Sequence, residues 1–112
     1  MGYKKNLGSI YLIVDNTGIK IGASKDKNVD TRTKSVCRNR GTGTCKVEHI
    51  RRGIDNYFFA EKKIRYLVTV KLNLPISINE WHNFENPKDI TEDLIKNIIK
   101  LIDSYDDGIL YD

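Results

Sequence analysis

The run Gly8-Ser9-Ile10-Tyr11-Leu12-Ile13-Val14 is β-branched and aromatic almost throughout, and a shorter alternating run, Ile19-Lys20-Ile21-Gly22-Ala23, follows close behind it. Between them Asp15-Asn16-Thr17-Gly18 supplies turn chemistry, because Asn and Gly tolerate positive φ. The pair reads as a β-hairpin, and every later element has to be placed around it.

After Ser24, the polar stretch Lys25-Asp26-Lys27-Asn28 can cap a helix over residues 29–38, with Asp30 and Lys34 spaced as an i,i+4 ion pair. A loop containing Gly41 and Gly43 ends it. Residues 45–54 alternate well enough for a third strand, and Asp55 can cap a second helix to about residue 72 with Ala60, Ile64, Leu67 and Val68 as its buried stripe. Pro75 forces extended backbone, and residues 76–84 allow a short strand through Ile78. Residues 89–105 form the clearest helix. Asp89 and Glu92 have capping-box spacing, and Leu94, Ile95, Ile98, Ile99, Leu101, Ile102 and Tyr105 recur at helical intervals. The expected fold is α+β: a small, three- to four-stranded, mostly antiparallel sheet flanked by helices. Residues 8–84 make the main domain, and residues 85–112 add a C-terminal helical extension packed on the same core.

At 112 residues, with 39% hydrophobic and 30% charged side chains, the chain can build one core. No stretch approaches the roughly 18 uninterrupted apolar residues of a membrane span. The start Met1-Gly2-Tyr3-Lys4-Lys5-Asn6 has no run resembling a signal peptide, so a cytoplasmic location is expected. Cys37 and Cys45, eight positions apart, lack zinc-site spacing. The loop between them would allow a disulfide, but cytosolic thiols are normally reduced, and we expect two small, buried or half-buried thiols. Charge is divided along the chain: residues 1–72 carry 16 Lys and Arg against 6 Asp and Glu, whereas residues 73–112 carry 3 against 9. That asymmetry suits a basic face for a polyanion, with an acidic element held away from it; two solvated faces of opposite sign are the plainer alternative.

Ser9-Ile10-Tyr11 and Lys20-Ile21-Gly22 on adjacent strands resemble the paired signature of the GIY-YIG nuclease family. The likeness extends to Ser24 two residues past the glycine, Arg32 on the first helix and Glu61 on the second. Glu80-Trp81-His82-Asn83-Phe84 is similar to the Glu-Trp-Phe ending of the phage and bacterial branch whose second motif is Lys-Ile-Gly. Lys20 departs from the namesake tyrosine and agrees with that branch.

The resemblance implies hydrolysis of a phosphodiester by an activated water and one divalent metal, Mg²⁺ or Mn²⁺. Such a hard cation keeps most of its waters and needs only one carboxylate besides substrate phosphate, here Glu61. A surface Glu61 paired with Arg65 is the plainer alternative. Tyr11 is implicated in deprotonating the water, although a phenol near pKa 10 needs positive charge beside it, which Lys20 and Arg32 can supply. Arg32 suits the scissile phosphate because a planar guanidinium can hold two oxygens at once. His49 is a candidate proton relay, with a partly exposed sheet residue as its alternative. Ser24 and Asn83 are supporting candidates. Lys25, Lys27, Lys34, Arg38, Arg40, Arg51 and Arg52 are candidate DNA contacts, able to neutralise phosphates without reading bases.

The expectation is therefore a metal-dependent DNA endonuclease of a phage or other mobile element, acting in the host cytoplasm. The alternative is a module of the same fold with weak or no cleavage, which binds DNA or inhibits a host protein. The apolar richness of the last helix also suggests a homodimer.

Overall fold

A computed structural model of the chain describes residues 7–106. The start at residues 1–6, read above for signal-peptide character, and the end of the C-terminal extension, residues 107–112, lie outside the described residues. The strands are β1 (Gly8–Val14), β2 (Gly18–Lys25), β3 (Lys46–Ile54) and β4 (Trp81–Asn83), and the helices are α1 (Val29–Arg40), α2 (Tyr57–Lys71) and α3 (Glu92–Ser104). The strands form one antiparallel sheet in the order β3-β1-β2-β4, so the protein is α+β.

Strand β1 lies in the middle of this sheet, and all of its residues are buried. That explains its nearly continuous apolar sequence, which serves two cores at once. Ile10, Leu12 and Val14 join Ile19, Ile21 and Ile54 in a cluster with Ala60, Ile64 and Val68 of α2 and Ile98 and Ile102 of α3. Tyr11 and Ile13 point the other way, into a smaller cluster with Val29 and Val36 of α1 and with Trp81. The molecule is thus layered, with α1 on one side of the sheet and α2 with α3 on the other. Leu94, Ile95, Ile99 and Leu101 pack against the larger cluster, so most of the apolar stripe of α3 is used within the chain.

Several local expectations are corrected. Asp30 pairs with Arg52 across the fold at 3.0 Å rather than with Lys34. Helix α3 begins later than read, because the Thr91 side chain accepts from Leu94 N at 3.1 Å and caps it, while Asn86 caps a 3-10 turn at Pro87–Asp89. Asn56, in left-handed backbone, is the residue at the start of α2 in place of Asp55. Ile78 makes only an isolated bridge, to Trp81, and the strand proper starts at Trp81.

Cys37 and Cys45 are joined by a disulfide with Cα atoms 5.3 Å apart, in place of the two thiols expected. Gly41, with φ 69°, ends α1 in the left-handed conformation and turns the chain back, which brings the end of the helix beside the start of β3.

Candidate active site

Tyr11 and Gly22 are direct partners across β1 and β2. A Cβ placed on Gly22 would overlap the ring and hydroxyl of Tyr11, so the glycine of the Lys-Ile-Gly motif is the trough that lets the phenol lie across the second strand. β4 pairs with Gly18, Ile19 and Lys20 only, so beyond Lys20 this edge of β2 has no strand partner among the described residues. Arg32, exposed on α1, acts electrostatically on the phenol. Burial raises the Tyr11 pKa; Arg32 works against that rise with its N–H donors and its charge, and the carboxylates of Glu80 and Glu61 add to it. The net direction is upward, so at neutral pH Tyr11 is a protonated phenol that can donate a hydrogen bond.

Glu61 sits on the first half of α2 and is only 6% exposed. Burial also raises its pKa, opposed by the charges of Arg65, Lys62 and Lys20 and reinforced by Glu80. Arg65 Nη1 is 3.3 Å from Oε1, but without hydrogen-bond geometry, and that buried oxygen has no hydrogen-bond partner. A buried carboxylate oxygen left without a donor is costly unless something else meets it. Among the described residues no group of three or more His, Cys, Asp or Glu converges, which does not suit a zinc cage. One carboxylate with an oxygen that accepts no hydrogen bond fits a hydrated hard cation, which would have to compete there with the Arg65 charge.

Lys20 and Arg32 line a cavity of about 320 Å³, together with Val36, Asn39, Arg40 and Trp81. Three of these six residues are cationic, which suits an anionic group. They are not equally available. Arg40 stacks over the Trp81 ring at 4.0 Å, pairs with Asp15 at 2.6 Å and donates to Thr17 Oγ1 and Asn83 Oδ1 at 3.2 and 2.9 Å. Burial pushes the Asp15 pKa up, but hydrogen bonds from Arg40 and the Thr17 backbone, with the charge of Arg40, outweigh it and hold it below its ordinary value. Arg40 is therefore a tie between α1, the hairpin turn and β4, and Asn83 serves that tie.

Lys20 and Arg32 thus share the cavity wall, and electrostatics couple Tyr11 to Arg32 and Glu61, and Glu61 to Lys20. His49 lies elsewhere. It pairs in register with Leu12, on the face toward α3, and its Nε2 is 2.7 Å from Asp103 Oδ1. Arg51 shares that face, where its guanidinium donates to the carbonyl oxygens of Ile102 and Tyr105 at 2.5 and 2.6 Å and holds the end of α3. Lys25, Lys27, Lys34, Arg38 and Arg52 are exposed, with Arg52 engaged by Asp30, and Ser24 is half-buried opposite Ser9.

The sequence reading did not name Trp81, Asp15 or Glu80 as site residues. Trp81 walls the cavity and Asp15 anchors Arg40, while Glu80 reaches Lys20 Nζ at 3.2 Å. Only the Glu-Trp pair carried a signal beforehand, as part of the terminal motif. The chain matches no family model, and neither a curated protein nor a solved structure is found to be similar to it.

Proposed function

We propose that this protein is a metal-dependent nuclease that hydrolyses phosphodiester bonds in DNA. The observation that carries the reading is a buried Tyr11 phenol on which the charges of Arg32 and a buried Glu61 both act, with Arg32 and Lys20 lining a cavity walled by cations. Glu61 would hold Mg²⁺ or Mn²⁺. When bound, the cation supplies charge neutralisation and an acidified water. Arg32 and Lys20 bind the phosphate oxygens and counter the charge that develops on them, Arg32 through its fork and Lys20 as a point charge. Tyr11 orients the attacking water by hydrogen bonding. Its phenol gives up its proton more readily once positive charge balances Glu61, since that carboxylate is one cause of its raised pKa. The exposed cations Lys25, Lys27, Lys34 and Arg38 support DNA binding through the backbone, which gives salt-sensitive affinity without base reading.

A non-cleaving, DNA-binding form has one observation in its favour: the key charges are already paired internally, Lys20 with Glu80 and Glu61 with Arg65. Incubation with duplex and branched DNA and Mg²⁺ or Mn²⁺ separates the two. The nuclease reading expects cutting by the wild type and at least a hundredfold slower cutting by Glu61→Ala. Absence of wild-type cutting with salt-sensitive binding selects the second reading.

No helix among the described residues is long and apolar enough to cross a membrane. We place the protein in the cytoplasm, that of the host cell if it is of phage origin.

A further inference from the structure

Glu80 occupies a position where turn chemistry favours glycine. Ile78 and Trp81 exchange both backbone hydrogen bonds, at 2.8 and 3.0 Å, and so close a two-residue hairpin turn. Its central residues, Asn79 and Glu80, have φ of 51° and 69°. Turns with two left-handed residues characteristically carry Asn followed by Gly, since Gly adopts this conformation without a clash at Cβ. Asn79 fits that rule and Glu80 does not. Backbone held in a disfavoured conformation is found where the side chain has work to do, and the contact made here is the one with Lys20.

That contact is unequal on its two sides. The Lys20 side chain is 8% exposed and that of Glu80 is 48% exposed, with Nζ and Oε2 3.2 Å apart. Glu80 can turn out into water, whereas Lys20 stays in the cavity wall. Arg40 is already bound to Asp15, so Lys20 and Arg32 are the cations left to an incoming anion. One of those two has a carboxylate of the chain itself on it.

We infer that Glu80 is a built-in stand-in for phosphate: its carboxylate neutralises Lys20 while the cavity is empty, and a phosphate group entering the cavity must displace it. The inference rests on the cavity being the phosphate site of the proposed function. It makes Glu80 a residue that weakens binding of a bare phosphate, and so holds the protein back from polyanions that offer nothing more than charge.

Trp81 is the only tryptophan of the chain and lines the cavity, so its fluorescence reports on occupancy. The full chain is titrated with inorganic phosphate without divalent cations, by fluorescence and in parallel by calorimetry, as wild type, Glu80→Gly and Glu80→Gln. Glycine suits the turn, and glutamine keeps the size of the side chain. Both variants are expected to melt no lower than about the wild type and to bind phosphate about tenfold more tightly, with Lys20→Met in the Glu80→Gly background removing the gain. Equal or weaker binding by either variant, or no phosphate binding by any of the proteins, overturns the inference. DNA cleavage is read separately. Tighter phosphate binding by both variants with no cutting by the wild type removes the nuclease reading and leaves this one standing, while wild-type cutting with unchanged phosphate affinity does the reverse.

Discussion

Toward α2 and α3 the sheet presents Ile10, Leu12, Ile19 and Ile21, and toward α1 it presents Tyr11, Lys20 and the bare backbone of Gly22. The first face is held by burial of apolar area, which is non-directional and tolerant of small changes in shape. The second face keeps its buried charges in place by pairing them, Asp15 with Arg40 and Lys20 with Glu80, and sets the charge of Arg32 against the burial of Tyr11. The two faces divide the labour. One side of β1 supplies stability through apolar burial, and the other side holds polar groups that are costly to bury and is correspondingly sensitive to loss of a single partner.

The most damaging test of that contrast is Arg40→Ala, which leaves the Asp15 carboxylate buried without its counter-charge. We expect a loss of about 3–5 kcal/mol in urea unfolding, as large as truncating a fully buried isoleucine of the apolar face to alanine. A loss under about 1 kcal/mol, the range of an exposed pair, would mean that the polar face is not a buried network.

Gly22→Ala should cost less, about 1–3 kcal/mol, because the added methyl meets the Tyr11 ring. Its sharper signature is in the site, since the ring must shift and cleavage should fall further than stability does. An alanine variant that melts and cuts like the wild type would contradict the trough.

The smallest effect is that of pH. His82 of β4 is fully buried, and its Nδ1 lies 2.6 Å from the Pro75 carbonyl oxygen, which can only accept, so Nδ1 carries the proton and Nε2 is left buried with no hydrogen-bond partner. Burial lowers its pKa, opposed by the bond to Pro75 and helped by Arg65. The unfolded chain therefore binds a proton near pH 6.5 that the folded chain refuses. The stability His82 contributes is complete above that pH and is lost as pH falls through the lowered folded value. Asp15 has the same sign of dependence in the carboxylate range, its contribution disappearing as pH falls through its own lowered pKa. His82→Gln, which keeps a donor for Pro75, should flatten the slope just below pH 6.5, and an unchanged slope would assign it to other groups.

How much of this was legible beforehand depended on the range of the interaction. The hairpin of β1 and β2 and the helices followed from period-two and helical patterns together with Asx and Gly turn chemistry, all of them local. The choice of Tyr11, Lys20, Arg32 and Glu61 as candidates came from the order of short motifs. Partners were not legible. Asp15 with Arg40, and Glu80 with Lys20, are 25 and 60 positions apart, and nothing in either neighbourhood marks the other. The placement of His49 was unreadable for a different reason. The β1–β3 register shifts between Leu12 and Ile13, and one extra residue in a strand decides which face a side chain takes. The cysteines were misjudged because compartment outweighed geometry in the reading, whereas the Gly41 turn brings them within bonding reach.

The claim on which the rest depends is that Glu61 holds a divalent cation within reach of both Tyr11 and Arg32. Substoichiometric Mn²⁺ added to protein labelled in its tyrosine rings and arginine side chains tests it directly, because the paramagnetic ion broadens only nearby resonances. The account predicts selective broadening of the Tyr11 and Arg32 signals, abolished by Glu61→Gln. Broadening confined to the acidic start of α3, at Glu92 and Asp93, or unchanged in Glu61→Gln, would contradict it.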